Sequence, residues 1–169
     1  MKYFNGFSLK GEESFFSEQL LASDYTVAGF SYGSQKAFEY VYHSTQRIER
    51  LILISPAFFQ NHKKSFIKTQ LRYFKADEAS YKKEFLKNVV YPSRLSLESF
   101  KSEGSYEELE ALLSYVWNEE KIKELLKRGV EIEVFMGDAD KIVAFQKSFE
   151  FFKKLVPVYL FKDKGHLLR

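Results

Sequence analysis

The sequence contains no cysteine. Disulfide bonds, thiolate metal sites and a cysteine nucleophile are therefore excluded for this chain. No stretch approaches the roughly 18 to 20 consecutive apolar residues of a membrane-spanning helix. The N-terminal sequence MKYFNGFSLKGEE lacks an apolar run behind basic residues, so it does not resemble a signal peptide. We expect a cytoplasmic protein that does not associate with a membrane.

Net charge is also low. The formal value of +3 at pH 7 is too small to indicate a nucleic-acid partner from the total alone. Aromatic residues are abundant, with 18 Phe and 11 Tyr, and each removes a large apolar area from water when it is buried. The length of 169 residues and the hydrophobic content of 45% suit one domain with a continuous core. We expect no cofactor and no metal ion.

Strand-like and helix-like segments alternate along the chain. Residues 51–54 (LILI) are apolar at every position, as in a strand that is buried on both faces of a parallel sheet. The alternation predicts an α/β fold with a mostly parallel sheet and crossover helices. The predicted strands cover residues 1–4, 25–30, 51–54, 130–136 and 156–161, and the predicted helices cover residues 12–21, 35–42 and 142–155.

Residues 58–128 differ from the rest of the chain. They are charged, helical in pattern and without a strong strand signal. Because this region lies between two predicted strands, we predict a helical lid inserted over one edge of the sheet. Residues 1–57 and 129–169 then form the core.

The segment Gly29–Gly33 has the pattern G-x-S-x-G with Ser31 at its centre. It lies between a predicted strand and a predicted helix, which is the context of a nucleophile elbow. In such a turn the serine backbone is strained, and side chains at the two glycine positions would collide with neighbouring elements. The helix N-terminus also favours developing negative charge. We predict that Ser31 is a nucleophile; the alternative is an ordinary glycine-bounded turn.

A serine hydroxyl is a poor nucleophile without a base. The chain has three histidines, His43, His62 and His166. His166 follows the last predicted strand, which is the position of the base when the chain order is serine, acid, histidine. His43 ends the helix after Ser31 and should be remote, and His62 opens the charged region. We predict that His166 is the general base.

The orienting acid should come from the loop after the penultimate strand, where two carboxylates compete. Asp140 lies three residues past Gly137, which lets the loop turn its side chain back towards His166. Asp138 is the alternative, as a turn-forming residue at the strand end. Asp163 is near the histidine in sequence but should belong to the final turn. We predict Asp140 as the acid.

An oxyanion hole needs two backbone donors. The N–H of Tyr32, the residue after the predicted nucleophile, should supply one. The turn Asn5-Gly6-Phe7 follows an earlier predicted strand, and its glycine permits the required backbone shape. We assign the second donor to Phe7; a plain turn is the alternative.

Several motifs together resemble one known family. They are FNGF at 4–7, AGFSYG at 28–33, EELE at 107–110, GVEIEVF at 129–135, FKD at 161–163 and HLL at 166–168. In this combination the chain resembles the BioV family, the short pimeloyl-acyl-carrier-protein methyl ester esterases of Helicobacter and Campylobacter relatives. The resemblance implies a truncated α/β-hydrolase fold with a helical lid, because the usual two strands before the oxyanion loop are absent. It also implies a catalytic triad of Ser31, Asp140 and His166.

The family resemblance implies a specific reaction. The substrate would be a pimeloyl chain that is joined to acyl carrier protein as a thioester and capped by a methyl ester. Hydrolysis of the methyl ester would release methanol and free the carboxylate for biotin synthesis. The alternatives are a general small-ester carboxylesterase, a thioesterase acting on acyl carrier protein, and a binding module without activity.

Positive charge is concentrated in the first part of the predicted lid. Residues 58–98 contain nine basic and four acidic residues. Acyl carrier proteins are strongly acidic, so a basic lid could steer one to the site. Lys64, Lys68 and Arg72 recur at i, i+4 and i+8 and are our candidates for this contact; the alternative is a solvated helical surface. Six aromatic and aliphatic residues of the same region either line an acyl tunnel or pack the lid onto the core, namely Phe66, Leu71, Tyr73, Phe74, Tyr81 and Phe85.

Overall fold

Strands and helices alternate in a computed structural model that describes residues 1–20 and 22–169. The strands are β1 (Lys2–Phe4), β2 (Thr26–Phe30), β3 (Arg50–Ile54), β4 (Glu131–Gly137) and β5 (Val158–Phe161). The α-helices are α1 (Tyr32–His43), α2 (Lys64–Ala76), α3 (Glu78–Val90), α4 (Tyr106–Ser114), α5 (Glu119–Lys127) and α6 (Phe145–Phe152). Short 3₁₀ helices cover Glu12–Phe16 and Glu98–Phe100. None of the described helices is long and apolar enough to cross a membrane.

The five strands form one sheet in the order β1-β2-β3-β4-β5, and every neighbouring pair is parallel. The predicted parallel sheet with crossover helices is therefore confirmed. Phe4 lies opposite Gly29, so the loop after β1 and the turn after β2 leave the sheet at the same edge. The carboxyl ends of parallel strands in an open α/β sheet border the crevice where ligands bind.

Each face of the sheet carries its own apolar cluster. Along β3, Leu51 and Leu53 face the cluster that contains α1, α5 and α6, whereas Ile52 and Ile54 face the opposite cluster. This alternation follows from the two-residue period of a strand. Burial on both faces explains why residues 51–54 are apolar without interruption.

The helices between β3 and β4 do not all pack in the same way. Helices α2 and α4, with part of α3, share a third apolar cluster with Phe7, Ala57 and Ile142, which belong to loops at the carboxyl edge of the sheet. In contrast, Ile122 and Leu125 of α5 pack with α1 in the cluster on the sheet face that carries Leu51 and Leu53. This face is called the lower face of the sheet. We use the name lid helices for α2, α3 and α4; that they act as a lid stays a prediction.

Two predicted helices are shorter in the structure. The helix predicted over residues 12–21 is only the 3₁₀ helix Glu12–Phe16, because the N–H groups of Gln19 and Leu20 both donate to the Phe16 carbonyl and end it in a turn. The last residue of that prediction, Leu21, lies outside the described residues. The helix predicted over residues 142–155 begins at residue 145.

Candidate active site

The turn around Ser31 has an unusual backbone. Ser31 has φ 54° and ψ −114°, and a positive φ is costly for a residue with a side chain. A Cβ atom on Gly29 would collide with the Gly33 carbonyl oxygen, and one on Gly33 would collide with the Phe4 carbonyl oxygen. The two glycines therefore permit a turn in which β2, α1 and the loop after β1 are in direct contact.

The Ser31 backbone is fixed by hydrogen bonds, while its hydroxyl has none. The Ser31 N–H donates to the Ile54 carbonyl at 2.9 Å, and the Ser31 carbonyl accepts from the N–H of Ala57 at 3.2 Å. The side chain is 2% exposed, and Oγ has no hydrogen-bond partner among the described residues. A buried hydroxyl without a partner is uncommon. Ser8 and Ser148 share this property, so the position of Ser31 in the strained turn, and not its missing partner, distinguishes it.

His166 and Asp140 form a buried pair at the carboxyl edge of the sheet. The His166 Nδ1 and the Asp140 Oδ2 are 2.6 Å apart, and the two side chains are 0% and 5% exposed. The other carboxylate oxygen, Oδ1, accepts from the N–H groups of Ile142 at 2.7 Å and Val143 at 3.0 Å. These bonds also explain why the helix predicted from residue 142 starts later. Asp140 is thus held in place on one side and directed at the imidazole on the other.

The second imidazole nitrogen is left available. His166 Nε2 is buried and has no hydrogen-bond partner within residues 1–20 and 22–169. With its proton on Nδ1 towards the carboxylate, the ring presents a lone pair at Nε2. The ring packs against Phe30, the residue before Ser31, with centroids 4.9 Å apart. Ser31 Oγ and His166 Nε2 do not form a hydrogen bond, and such bonds are often long in a free enzyme and tighten with substrate.

The competing carboxylates have other partners. Asp138 is exposed, and its Oδ1 accepts from the Asp163 N–H at 2.6 Å, so it joins two turns at the ends of β4 and β5. Asp163 itself has φ 58° within the final turn. Neither carboxylate forms a hydrogen bond or ion pair with His166 in the described part of the chain.

The other two histidines lie elsewhere. His43 is the last residue of α1, about 18 Å along the helix axis from Ser31. It is mostly exposed, and its Nε2 lies 3.3 Å from Glu39. His62 stacks on Phe66 of α2 with centroids 4.2 Å apart.

The sequence matches no protein family and no curated protein, but the structure resembles many solved ones. An esterase from Exiguobacterium antarcticum superposes with TM-score 0.64 at 20% identity, over 88% of this chain and 62% of that one. A bromoperoxidase from Bacillus anthracis superposes with TM-score 0.67 at 23% identity, over 90% of this chain and 64% of that one. Carboxylesterase CesB from Bacillus subtilis superposes with TM-score 0.56 at 19% identity, over 93% of this chain and 57% of that one.

The chain has an α/β-hydrolase fold. It spans about three fifths of the length of these three proteins. Identities below 25% establish the fold, and one fold hosts many reactions, so the reaction must be argued from the site itself. In this α/β-hydrolase fold the turn with Ser31 follows β2, the loop with Asp140 follows β4, and His166 follows β5. The fold-class prediction from the sequence is thus confirmed.

The two oxyanion donors predicted from the sequence are the backbone N–H groups of Tyr32 and Phe7. Tyr32 is the first residue of α1, and the first N–H groups of a helix have no partner within it. Phe7 is buried in the loop after β1, and no described residue accepts a hydrogen bond from its N–H. The preceding N–H, that of Gly6, donates to the Glu12 carboxylate at 2.6 Å. Phe7 and Tyr32 therefore remain the candidate donors to an oxyanion.

A cavity of about 520 Å³ lies among the lid helices. Its lining includes Ile142, whose N–H donates to Asp140, but not Ser31, Asp140 or His166 themselves. Phe7 and Tyr32 belong to the same apolar cluster as much of the cavity wall. The remaining lining residues are mostly apolar, namely Phe59, Phe66, Gln70, Tyr73, Ala76, Asp77, Ser80, Tyr81, Glu84, Phe85, Asn88, Leu109, Leu112, Leu113 and Lys141. Burial raises the pKa of Tyr81 to about 12, so its hydroxyl stays neutral.

Two residues near the site were missed from the sequence. Ser55 follows β3 with φ 41°, and its Oγ donates to the His166 carbonyl at 2.7 Å, which ties the histidine loop to the sheet. Glu12 is fully buried beside the loop after β1. A polar residue directly after a buried strand could have indicated Ser55, because these strand ends converge at one edge. No group of three or more metal-binding side chains occurs in the described residues.

Proposed function

We propose that the protein is a serine hydrolase that cleaves carboxylic esters. The observation that carries this proposal is the pairing of Asp140 with His166 Nδ1, which leaves Nε2 unpartnered beside the strained turn that presents Ser31. An acid that orients a histidine, a basic nitrogen without a partner and a serine hydroxyl without a hydrogen bond are the parts that acyl transfer requires. The esterases among the structural neighbours are in accord with this reaction.

The reaction proceeds in two halves. Ser31 Oγ attacks the ester carbonyl while His166 Nε2 takes the hydroxyl proton, and the oxyanion accepts from the N–H groups of Phe7 and Tyr32. The bond to the alcohol oxygen then breaks, and His166 protonates the leaving alcohol. Water attacks the acyl-enzyme with His166 again as base, which releases the acid and restores Ser31. Asp140 keeps the imidazole in the required tautomer and stabilises its cation.

The cavity among the lid helices supports an apolar acyl group as the bound part of the substrate. One of its lining residues, Ile142, donates a hydrogen bond to Asp140, and its walls are largely aromatic and aliphatic. Each buried methylene contributes about 0.8 kcal/mol of binding. Catalytic efficiency should therefore rise with acyl length until the cavity is filled.

A bulky side chain at the cavity wall should shorten the acyl chain that is accepted. Ala76 lines the cavity near the end of α2 and is exposed, so Ala76→Trp can fold while occupying part of this space. We expect kcat/KM for octanoyl esters to fall at least about tenfold and that for acetyl esters to stay unchanged. Ala79→Trp is the control, since Ala79 is also exposed but does not line the cavity. Equal effects on both ester lengths would argue against the cavity as the acyl site.

We further propose that the physiological ester is the methyl ester of a pimeloyl chain on acyl carrier protein. The resemblance of the sequence motifs supports this substrate, and so does the distribution of charge on the lid. Lys64, Lys68 and Arg72 are exposed on α2, and none of the ion pairs within the described residues involves them. Two lysines of α3, in contrast, pair with glutamates of their own helix. The α2 cations are thus available to an acidic carrier protein.

This substrate carries a thioester as well as a methyl ester, and the thioester is the more reactive acyl donor. Geometry must therefore select the distal ester, with the carrier held outside the lid and the chain extended into the cavity. Incubation with methyl pimeloyl carrier protein, followed by mass measurement, distinguishes the outcomes. The expected product is carrier-bound pimeloyl with methanol released. Release of the acyl chain from the carrier would indicate a thioesterase, and equal rates on free methyl esters would indicate a general carboxylesterase.

Neutralising the α2 cations should weaken carrier recognition only. For Lys64→Ala/Lys68→Ala/Arg72→Ala we expect KM for the carrier-bound ester to rise about tenfold at low salt, with kcat for a free ester unchanged. The difference between variant and wild type should shrink as salt screens the charges. The control removes three exposed lysines elsewhere, in Lys123→Ala/Lys127→Ala/Lys154→Ala. A KM effect of the same size in that control would assign the loss to net charge rather than to α2.

A further inference from the structure

Glu12 is a carboxyl residue that is completely buried and has no role in the reaction described above. Its Oε1 accepts from the Gly6 N–H at 2.6 Å and from the Tyr3 hydroxyl at 3.4 Å. Its Oε2 has no partner, and no cation pairs with Glu12 within the described part of the chain. Burial is the main influence that raises the pKa of the Glu12 carboxyl above its usual range, and neighbouring Glu13 adds to it. Burying such a group without a counter-ion is costly, so its placement calls for an explanation.

The explanation lies in the loop that Glu12 holds. The segment Asn5–Phe7 is held from two sides. On one side the Gly6 Cα packs so closely on the Phe30 ring that an added Cβ would lie 2.9 Å from it. On the other side the Asn5 Oδ1 accepts from the Gly11 N–H at 3.1 Å, and Glu12 accepts from Gly6. Hydrogen bonds to residues 11 and 12 therefore hold the loop in contact with Phe30, the residue before Ser31.

The hydrogen bond between Glu12 and Gly6 determines which backbone N–H of the loop is available to a substrate. Because the Gly6 N–H is directed at Glu12, it is not available to a substrate. The bond fixes the Asn5–Gly6 peptide unit. The next peptide unit, Gly6–Phe7, carries the Phe7 N–H, which has no acceptor among the described residues. A donor contributes to catalysis only when it is held in place before the oxyanion forms.

We infer that Glu12 is a positioning residue that holds the loop Asn5–Phe7 in the conformation in which the Phe7 N–H can meet the oxyanion. This inference rests on the proposed hydrolase function and adds a residue to it. Glu12 touches neither substrate nor the reacting atoms; it acts through Gly6. The carboxyl group acts as a hydrogen-bond acceptor here, so an uncharged acceptor of the same shape should serve equally well.

Steady-state kinetics on an activated ester, with active sites counted by fluorophosphonate titration of Ser31, tests the inference. For Glu12→Ala we expect kcat to fall about 10- to 100-fold with KM within about twofold, because the loss of a whole oxyanion donor costs about 10²- to 10³-fold. Glu12→Gln keeps an acceptor for Gly6 and should restore kcat to within about threefold of wild type. Glu12→Asp keeps the charge but is one methylene shorter, so it should behave like Glu12→Ala.

Glu13→Ala is the matched control. Glu13 is the next residue of the same 3₁₀ helix and also has a buried oxygen without a partner, but it does not bond to the loop. The Glu13→Ala variant should change the free energy of unfolding and leave kcat unchanged. A folded Glu12→Ala with wild-type kcat, or a loss of equal size in Glu13→Ala, overturns the inference. If Glu12→Ala does not fold, the kcat values of Glu12→Gln and Glu12→Asp are compared instead. A higher kcat for Glu12→Asp than for Glu12→Gln contradicts the proposal. A wild-type protein that fails to label at Ser31 overturns the hydrolase function instead.

Discussion

Ser31→Ala should eliminate ester hydrolysis and labelling by a fluorophosphonate while leaving the fold intact. In a hydrolase that works through a serine, removal of the nucleophile lowers kcat by about a millionfold. The effect on stability should be small, because the Ser31 hydroxyl makes no hydrogen bond and its loss leaves no partner unsatisfied. The measurements are mass spectrometry of the labelled protein, the hydrolysis rate, and the thermal midpoint of unfolding.

The chain offers a closely matched control for this experiment. Ser148 of α6 is also fully buried, and its hydroxyl likewise has no partner within the described residues. Ser148→Ala should retain both labelling and hydrolysis. Labelling that persists in Ser31→Ala would contradict the proposed nucleophile, and a wild type that neither labels nor hydrolyses would favour a binding module on the same fold.

Asp140→Asn should reduce kcat by about 10³- to 10⁴-fold, which is the size of effect that loss of the orienting carboxylate has in serine proteases. The amide can still accept from the Ile142 and Val143 N–H groups, so the loop should stay folded. Its NH₂ group then faces Nδ1 as a donor, which forces the imidazole proton onto Nε2 and removes the base. KM should change little, because the carboxylate contacts the histidine rather than the substrate.

Asp138→Asn distinguishes the two carboxylates that follow β4. Its carboxylate accepts only from the Asp163 N–H, and an amide oxygen can take over that bond. We expect kcat to stay within about twofold of wild type, since surface substitutions of this kind have small effects. A large loss in Asp138→Asn together with a small one in Asp140→Asn would reverse the assignment. The measurement is kcat at constant pH on the same ester for both variants.

The parts of the fold that short-range pattern encodes could be predicted from the sequence. The run LILI at 51–54, the glycines on both sides of Ser31 and the strand before His166 each carry their signal within a few residues. These signals were sufficient for the parallel sheet and for its confirmed fold class. Element ends were less accurate where a side chain competes with the helix, as Asp140 does by accepting from the N–H of Ile142.

The remaining features depend on contacts between distant parts of the chain. Glu12 lies in a polar stretch that looks exposed in sequence, and only the fold brings the Gly6 N–H to its carboxylate. The role of Ser55 depends on the backbone of residue 166, and the packing of α5 on the lower face of the sheet depends on α1. Amphipathic period alone does not say which of two apolar surfaces a helix will cover.

The position of β1 has a consequence for how the protein should respond to heat. This strand has three residues, lies at the edge of the sheet and is paired only with β2. Edge segments open locally at a lower free energy than the centre of a sheet. The loop that carries Phe7 is continuous with β1, whereas Ser31 follows β2, a strand with neighbours on both sides. Thermal inactivation should therefore precede global unfolding, with one half of the proposed oxyanion site lost while the proposed nucleophile, Ser31, is still held.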